Sequence, residues 1–435
     1  MQQPPPVLLL NAATWGDADA GAVPQPRSGA GLWLNRLLVT QFRCYAQAEL
    51  RLDPAPVVLT GPNGAGKTNL LEAISFLSPG RGLRGARLSE IDRRLPGAET
   101  GTPWAVAATV MTPDGPRDLG SGRDPGQHAR AQNIGARGVE GAGGPGGLGG
   151  GLGRERRLVR VDGNAARGQQ ALSEVLSLVW LTPQMDALFR EGAGGRRRFL
   201  DRLVYGFDPE HSARCNAYEH SLRERARLLK TGQGDAAWLA SLEDSLATRV
   251  GAIAAARLDM VERLQRACDD AEGPFPKVIL GLDGAVEGWL RAGPALDAED
   301  KLRDGLAARR RQDAESGGAG LGPHRSDLLA QHRAKGIAAE LCSTGEQKAL
   351  LIAILLAHAR LLTLERGAAP LLLLDEVAAH LDATRRAALY EEILGLGAQA
   401  WLTGTDAADF DGLGGRAQFF AVNDGAVSPA ASAAS

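Results

Sequence analysis

The chain has 435 residues, 44% hydrophobic and 23% charged, with 49 basic against 51 acidic side chains and a formal net charge of -2. This is the balance of a globular protein with room for two or more domains; it excludes a disordered chain and a nucleic-acid binder acting through its overall field, so any such contact needs a local basic face. Cys44, Cys215, Cys268 and Cys342 are scattered without a C-x-x-C pair, which argues against a disulfide framework or a cysteine metal site and fits a reducing cytoplasm.

Residues 1–30 are rich in Pro, Ala and Gly without periodicity and are expected to be disordered, with the native start allowed to lie further on. The short apolar run 7–10 has no basic flank, so no secretory signal is read. A strand is predicted through Leu32, Trp33, Leu34, Leu37, Val39 and Phe42. A turn, Phe42-Arg43-Cys44-Tyr45, leads to a short strand at Leu50-Arg51-Leu52 paired with the first. Val57-Val58-Leu59 then feeds Gly61-Pro62-Asn63-Gly64-Ala65-Gly66-Lys67-Thr68-Asn69, and a helix follows over 68–77. Strand, glycine loop and helix form the context a phosphate-binding loop needs. Glycines let backbone N–H groups converge on one point, and the helix start adds its positive dipole end. Lys67 would reach the β- and γ-phosphates of a nucleotide, ATP, and the Thr68 hydroxyl would ligate Mg²⁺.

A basic glycine loop, 79–85, contains Arg81 and Arg84. Strands are predicted over 104–110 and 157–161, separated by an almost pure Gly insert at 135–153 that cannot bury enough surface to order itself. A further strand at 178–181 ends in Thr182-Pro183-Gln184. From 185 to 316 the spacing turns helical: Phe199, Leu200, Leu203 and Val204, then Leu222, Leu228 and Leu229, then Leu239, Leu242, Leu246 and Val250. A glycine break at 232–234 suggests an antiparallel helical pair. The core is expected to resume over 317–428, with a strand at Asp327-Leu328-Leu329, a long helix from Gly345 whose apolar part, 349–364, reads as buried and too short to span a bilayer, and strands at 371–374, 401–403 and 418–422. Residues 429–435 read as a disordered Ala/Ser tail.

Leu371-Leu372-Leu373-Leu374-Asp375-Glu376 is a strand buried on both faces that ends in two acids, at the edge where open α/β sheets bind ligands. Asp375 would hold Mg²⁺, and Glu376 would deprotonate the attacking water; both acids could instead cap a helix. Ser343-Thr344-Gly345-Glu346-Gln347-Lys348 is either a capping box or a second anion site at a helix start. Two phosphate-binding helix ends for one nucleotide suggest a head-to-tail dimer. Ala379-His380-Leu381-Asp382 follows at a spacing that resembles the D-loop of ABC-type ATPases, which would place Asp382 at the dimer seam; Leu381-Asp382 could instead simply cap the next helix. Gln184 resembles the Q-loop residue of that class, a candidate for coupling nucleotide to the helical lobe. Thr403-Gly404-Thr405 resembles the switch position where many ABC proteins carry His; a hydroxyl there can hold water but cannot act as a base.

The segment at 343–348 resembles the signature motif of ABC-type ATPases. With Phe42-Arg43-Cys44-Tyr45, the phosphate loop, Arg196-Arg197-Arg198-Phe199-Leu200-Asp201, Gly322-Pro323-His324-Arg325-Ser326-Asp327 and Leu374 to Asp382, the chain from about 32 to 424 resembles the RecF family of SMC/Rad50-like ABC ATPases. The resemblance implies an α/β fold: an ABC-type ATPase head, with a mixed sheet core plus an antiparallel β subdomain in 31–184 and 317–428, and an inserted helical lobe at 185–316. It also implies an ATP-dependent homodimer that binds double-stranded and gapped DNA, hydrolyses ATP slowly, works with RecO and RecR in loading RecA, and supports the SOS response. The nucleotide residues would be Gly61 to Asn69, Gln184, Ser343, Gly345, Gln347 and Asp382. Arg81, Arg84, Arg196, Arg197 and Arg198 are candidates for DNA phosphates, although a triple Arg can equally be a solvated helix face. Arg43 and Tyr45 are candidates for the adenine. An ABC transporter's ATP subunit shares the loop, signature and acidic strand, but 130-odd inserted helical residues and the lack of a membrane-spanning partner segment weigh against it. A nucleotide-binding scaffold without a DNA role is the third reading.

Overall fold

The computed structural model describes residues 31–95, 97–98, 100–124, 155–232, 235–379 and 381–430. The segments 1–30 and 135–153 and residues 431–435, all expected to be disordered, lie outside these. The described strands are β1 (Trp33–Phe42), β2 (Tyr45–Arg51), β3 (Val57–Thr60), β4 (Ala105–Thr112), β5 (Gly115–Arg123), β6 (Arg157–Val161), β7 (Asn164–Ala165), β8 (Leu178–Leu181), β9 (Val278–Asp283), β10 (Asp327–His332), β11 (Ile337–Ala338), β12 (Leu371–Leu374), β13 (Ala400–Gly404), β14 (Gln418–Asn423) and β15 (Ala426–Ala430). Pro429 and Ala430, expected in the tail, are the end of β15 and pair with Phe420 and Phe419.

The chain forms two compact units. The first takes the described residues up to Trp180, Ala368–Ala379, and those from Tyr390 on; the second takes Leu181–Gly367 and the described residues up to Leu389 beyond His380. Residues 317–367, expected in the head, therefore cluster with the helical lobe.

In the first unit, one six-stranded sheet runs β15-β14-β3-β13-β12-β8. β14, β3, β13 and β12 are mutually parallel, and β15 is antiparallel to β14. The four leucines of β12 are all buried, as a strand covered on both faces requires. The second sheet, β2-β1-β4-β5-β6-β7, is antiparallel. β5 was not legible in the sequence: Gly115-Pro116-Arg117-Asp118 has poor strand propensity, and register with β4 from Ala105↔Gly122 to Thr112↔Gly115 holds it in place. Gln399 ties the sheets together. Its amide oxygen accepts from Leu34 N at 2.9 Å, while Nε2 donates to the Leu34 and Asp53 carbonyls at 3.1 and 2.7 Å. Phe42, Phe76 and Trp104 pack edge-on or tilted, with centroids 4.7–6.0 Å apart, between β1 and the end of the phosphate-loop helix.

The second unit is mostly helical. Gly232 (φ 63°) ends the helix His211–Thr231, and Asp235 caps Ala236–Asp270 by accepting from Ala237 N, which forms the break read at 232–234. Leu246, Val250, Ile253, Leu302 and Leu306 form its core. Asp327 begins β10, but this strand is the centre of a separate sheet, β11-β10-β9, not part of the head core. β9 was missed because Val278-Ile279-Leu280 is short and embedded in helical sequence. The helix Thr344–Arg366 begins where the long helix from Gly345 was expected; its 23 residues, unlike the apolar part 349–364 alone, are long enough to cross a bilayer, but 72% of its most apolar window is buried in the fold.

His358 lies in that helix, and its Nε2 donates to the Leu203 carbonyl at 2.8 Å. Burial, helped by Arg202 and Arg263 and partly opposed by the Leu203 bond, lowers its pKa to about 4. The folded protein thus keeps His358 neutral where the unfolded chain protonates it. Stability should fall as pH drops from about 6.5 to about 4, by up to roughly 3 kcal/mol. Urea midpoints at pH 7 and pH 4.5 should differ more for the parent than for His358→Gln; equal differences would show that His358 is not the sensor.

Candidate nucleotide site

The phosphate loop is built as the glycine spacing requires. Gly61, Gly64 and Gly66 have φ of 144°, 82° and 117°. A Cβ on Gly61 would lie 2.1 Å from the Val422 oxygen, and one on Gly66 would lie 2.8 Å from both Cys44 Sγ and the Tyr45 hydroxyl. Only glycine fits these two places. The helix Lys67–Ser75 starts at Gly66, which has no side chain to occupy its first N–H groups. Pro62, Asn63 and Gly64 are exposed, whereas Ala65, Gly66 and Lys67 are buried.

Two outside turns brace the loop. Tyr45 Oη donates to the Gly66 carbonyl at 3.0 Å, and Gly425 N donates to the Ala65 carbonyl at 3.1 Å. Asn69 Nδ2 donates to Cys44 Sγ at 3.2 Å. The carboxylate of Glu72, fully buried, accepts from Arg43 Nε at 3.0 Å and from Arg84 at 3.0 Å. Arg43 and Tyr45 thus support the loop. The Tyr45 ring is buried, leaving no face for adenine. Arg84, a DNA candidate, also donates to Asn69 Oδ1 at 2.8 Å, so it belongs to this brace; Arg81 is exposed.

Lys67 Nζ donates to the Gly61 and Pro62 carbonyls at 2.6 and 2.9 Å. Burial lowers its pKa, against the pull of the Glu376 and Asp375 carboxylates. Thr68 Oγ1 donates to Asp375 Oδ1 at 2.9 Å, which brings a hydroxyl and a carboxylate from opposite ends of the chain together. These are hard oxygen donors of the kind Mg²⁺ takes. Burial raises the Asp375 pKa, and the hydroxyls of Thr403 and then Thr68 oppose the rise. Glu376 adopts φ 49°, a left-handed conformation costly for a residue with a Cβ.

The remaining expected nucleotide residues lie in the second unit. Gln184 is exposed on the 3-10 turn Pro183–Ala187. Ser343 caps Thr344–Arg366 in a capping box: its N and Oγ donate to Glu346 Oε2 at 3.0 and 2.9 Å. Lys335 and these Ser343 groups hold the Glu346 carboxyl down at a pKa of about 2. Gly345 follows within that first turn. Gln347 is buried, and its Nε2 donates to the Cys342 carbonyl at 2.9 Å. Asp382 is exposed and accepts from Arg385 N at 2.8 Å, the cap geometry of the next helix.

Two of the three arginines in the triple Arg have internal partners. Arg196 makes a bidentate pair with Asp327, at 2.7 and 2.8 Å, and also donates to the Phe189 and Glu191 carbonyls. Arg197 donates to the Ser326 carbonyl at 2.6 Å; Arg198 is exposed. Arg257 binds Asp201 at 2.8 and 2.9 Å and the Pro323 carbonyl at 2.6 Å, and Tyr218 Oη donates to His324 Nδ1 at 2.7 Å. The Arg-rich and Gly-Pro-His-Arg segments are therefore two sides of one internal contact, a pairing across 131 residues that no local pattern announces. Asp201, His211 and Cys215 also cluster. The guanidinium on Asp201 and a Cys215 thiol pushed up by burial to about 12 make a poor cation site.

A family model for the AAA domain matches residues 36–92. The DNA replication and repair protein RecF of Mesorhizobium japonicum is 46% identical over 398 residues, 91% of this chain and 97% of that protein. RecF of Allorhizobium ampelinum is 46% identical over 399 residues, 91% and 98% of the two chains. A solved structure of the recombination mediator protein RecF-ATPrS in the RecFOR pathway has the same fold, with a TM-score of 0.76 at 22% identity over 93% of this chain and 100% of that one. Identity of this extent across nearly the whole length, on an α/β head with a phosphate loop and an inserted helical lobe, shows that the chain belongs to the RecF family of DNA replication and repair proteins.

Proposed function

We propose that this protein is an ATP-dependent DNA-binding protein of recombinational repair and replication, in which ATP joins two copies head to tail. The loop 61–69 of one copy holds the triphosphate, and Ser343, Gly345, Gln347 and Asp382 of the other close over it. Thr68 and Asp375 would hold Mg²⁺, which would supply neutralisation of the phosphate charge. Glu376 takes the proton of the attacking water, and Gln184 couples the site to the helical lobe. Hydrolysis is slow and times release. Each copy binds duplex weakly; joined, they hold it at high effective concentration, at single-strand gaps, through sequence-neutral phosphate contacts that include Arg81 and Arg198. RecO and RecR are the partners in loading RecA, in the cytoplasm, with support for the SOS response.

The observation that carries this reading is the 2.9 Å bond from Thr68 to Asp375, which unites the two halves of a nucleotide site separated by 307 residues. Sedimentation tests it. With ATP and Mg²⁺ the mass should double, and gapped duplex should shift the dimer further. A mass unchanged by a non-hydrolysable ATP analogue, over a wide concentration range and with duplex present, overturns it.

A further inference from the structure

Thr403 ends up in a place its sequence position does not announce. It sits in β13, fully buried, next to the strand that ends in the two acids. Its Oγ1 lies 2.7 Å from Asp375 Oδ1 and 2.9 Å from the Glu376 backbone nitrogen. The proton bookkeeping is unambiguous. A backbone N–H can only donate, so Thr403 Oγ1 accepts from Glu376, and its own proton goes to Asp375. One hydroxyl thereby serves both acids. It holds the Asp375 carboxylate in place together with Thr68, which donates to the same oxygen at 2.9 Å. It also anchors the peptide of Glu376, the residue with φ 49°. A left-handed residue with a Cβ persists only where its surroundings over-determine it. This hydroxyl is a local group that does so. Its proton and one of its two lone pairs are engaged in this way.

We propose that Thr403 is the positioning residue of the hydrolytic site, orienting Asp375 and Glu376 through a single buried hydroxyl. The proposal rests on the nucleotide reading above and deepens it. Two consequences follow from the geometry. Without the hydroxyl, Asp375 Oδ1 keeps only the Thr68 donor, so the carboxylate is held by one of these two bonds and can swing from its place. The Glu376 peptide also loses its acceptor and can relax, which re-aims the carboxylate. Among the described residues Thr403 Oγ1 makes no hydrogen bond to the phosphate loop or Lys67, so nucleotide capture should survive.

The test compares Thr403→Val, which keeps the branched shape without the hydroxyl, with Thr403→Ser, which keeps the hydroxyl. ATP affinity, ATP-dependent mass and the rate of single-turnover hydrolysis across a Mg²⁺ series are measured for each. The expected result for Thr403→Val is ATP affinity within about threefold of the parent, retained dimerisation, turnover reduced tenfold or more and a higher Mg²⁺ requirement. Thr403→Ser should restore parental turnover. Parental turnover in Thr403→Val overturns the proposal. So does Thr403→Ser behaving like Thr403→Val, since shape rather than the hydroxyl would then matter. If Thr403→Val does not fold, Thr403→Ala is read in its place against the same Ser standard. A parent that neither dimerises with ATP nor hydrolyses it would instead refute the nucleotide reading itself.

Discussion

Lys67→Ala should weaken ATP binding sharply and with it remove ATP-dependent dimerisation and stable DNA binding. The Lys67 ammonium is buried at the head of its helix and bonded to two loop carbonyls, which leaves one of its three protons for a ligand. Charge-assisted bonds from such a group are worth roughly 1.5–3 kcal/mol each, so losing the one it can offer a phosphate should lower ATP affinity by roughly ten- to a hundredfold. The same change leaves the Gly61 and Pro62 carbonyls without this donor, and the loop itself should loosen. A thermal melt run alongside separates the two effects: the rest of the fold, held by the sheets and the Gln399 bridge, should melt near the parent temperature. DNA affinity should drop to the level of the single copy and lose its ATP dependence. Dimers that persist in Lys67→Ala, seen by light scattering without nucleotide, would show that something other than the triphosphate joins the copies.

The parts of the site that were legible are those with local causes. Glycines at 61, 64 and 66 announce left-handed backbone, and Leu371–Leu374 announce a strand covered on both faces, because each signal is written within a few residues. The unreadable parts are side chains whose partners lie far along the chain. Tyr45 reads as a turn residue and a candidate for the adenine until its hydroxyl is seen on Gly66. Glu72 looks like a surface acid on a helix, yet it is buried between Arg43 and Arg84. Arg196 reads as a phosphate contact because three arginines in a row have no local partner; its partner, Asp327, comes 131 residues later. β5 fails for the same reason, since its ladder to β4 supplies what its own residues lack. Charge runs in an Arg-rich chain are thus weak guides to ligands, and buried carboxylates are the first place to look for where those charges go.

Glu376→Gln should separate binding from turnover. Gln has nearly the same shape, and its backbone N–H can still donate to Thr403 Oγ1, so the left-handed turn at 376 should survive the change. What is lost is the base. General-base catalysis contributes typically 10²–10⁴-fold, and turnover should fall within that range. ATP affinity should hold or improve. Glu376 exerts the larger of the two carboxylate pulls on Lys67, and removing its charge also removes a repulsion against the incoming triphosphate. With ATP bound and unspent, the two copies should remain closed, so complexes with duplex should resist salt challenge far longer than the parent's. Filter binding after addition of 0.5 M salt, about where the Debye length is down to a few ångströms, reads this directly. Slow parental dissociation that Glu376→Gln does not slow further would mean that hydrolysis is not the timer. Parental turnover in Glu376→Gln would remove Glu376 as the base and leave Asp375, held by two hydroxyls, as the acid whose geometry has to be re-examined.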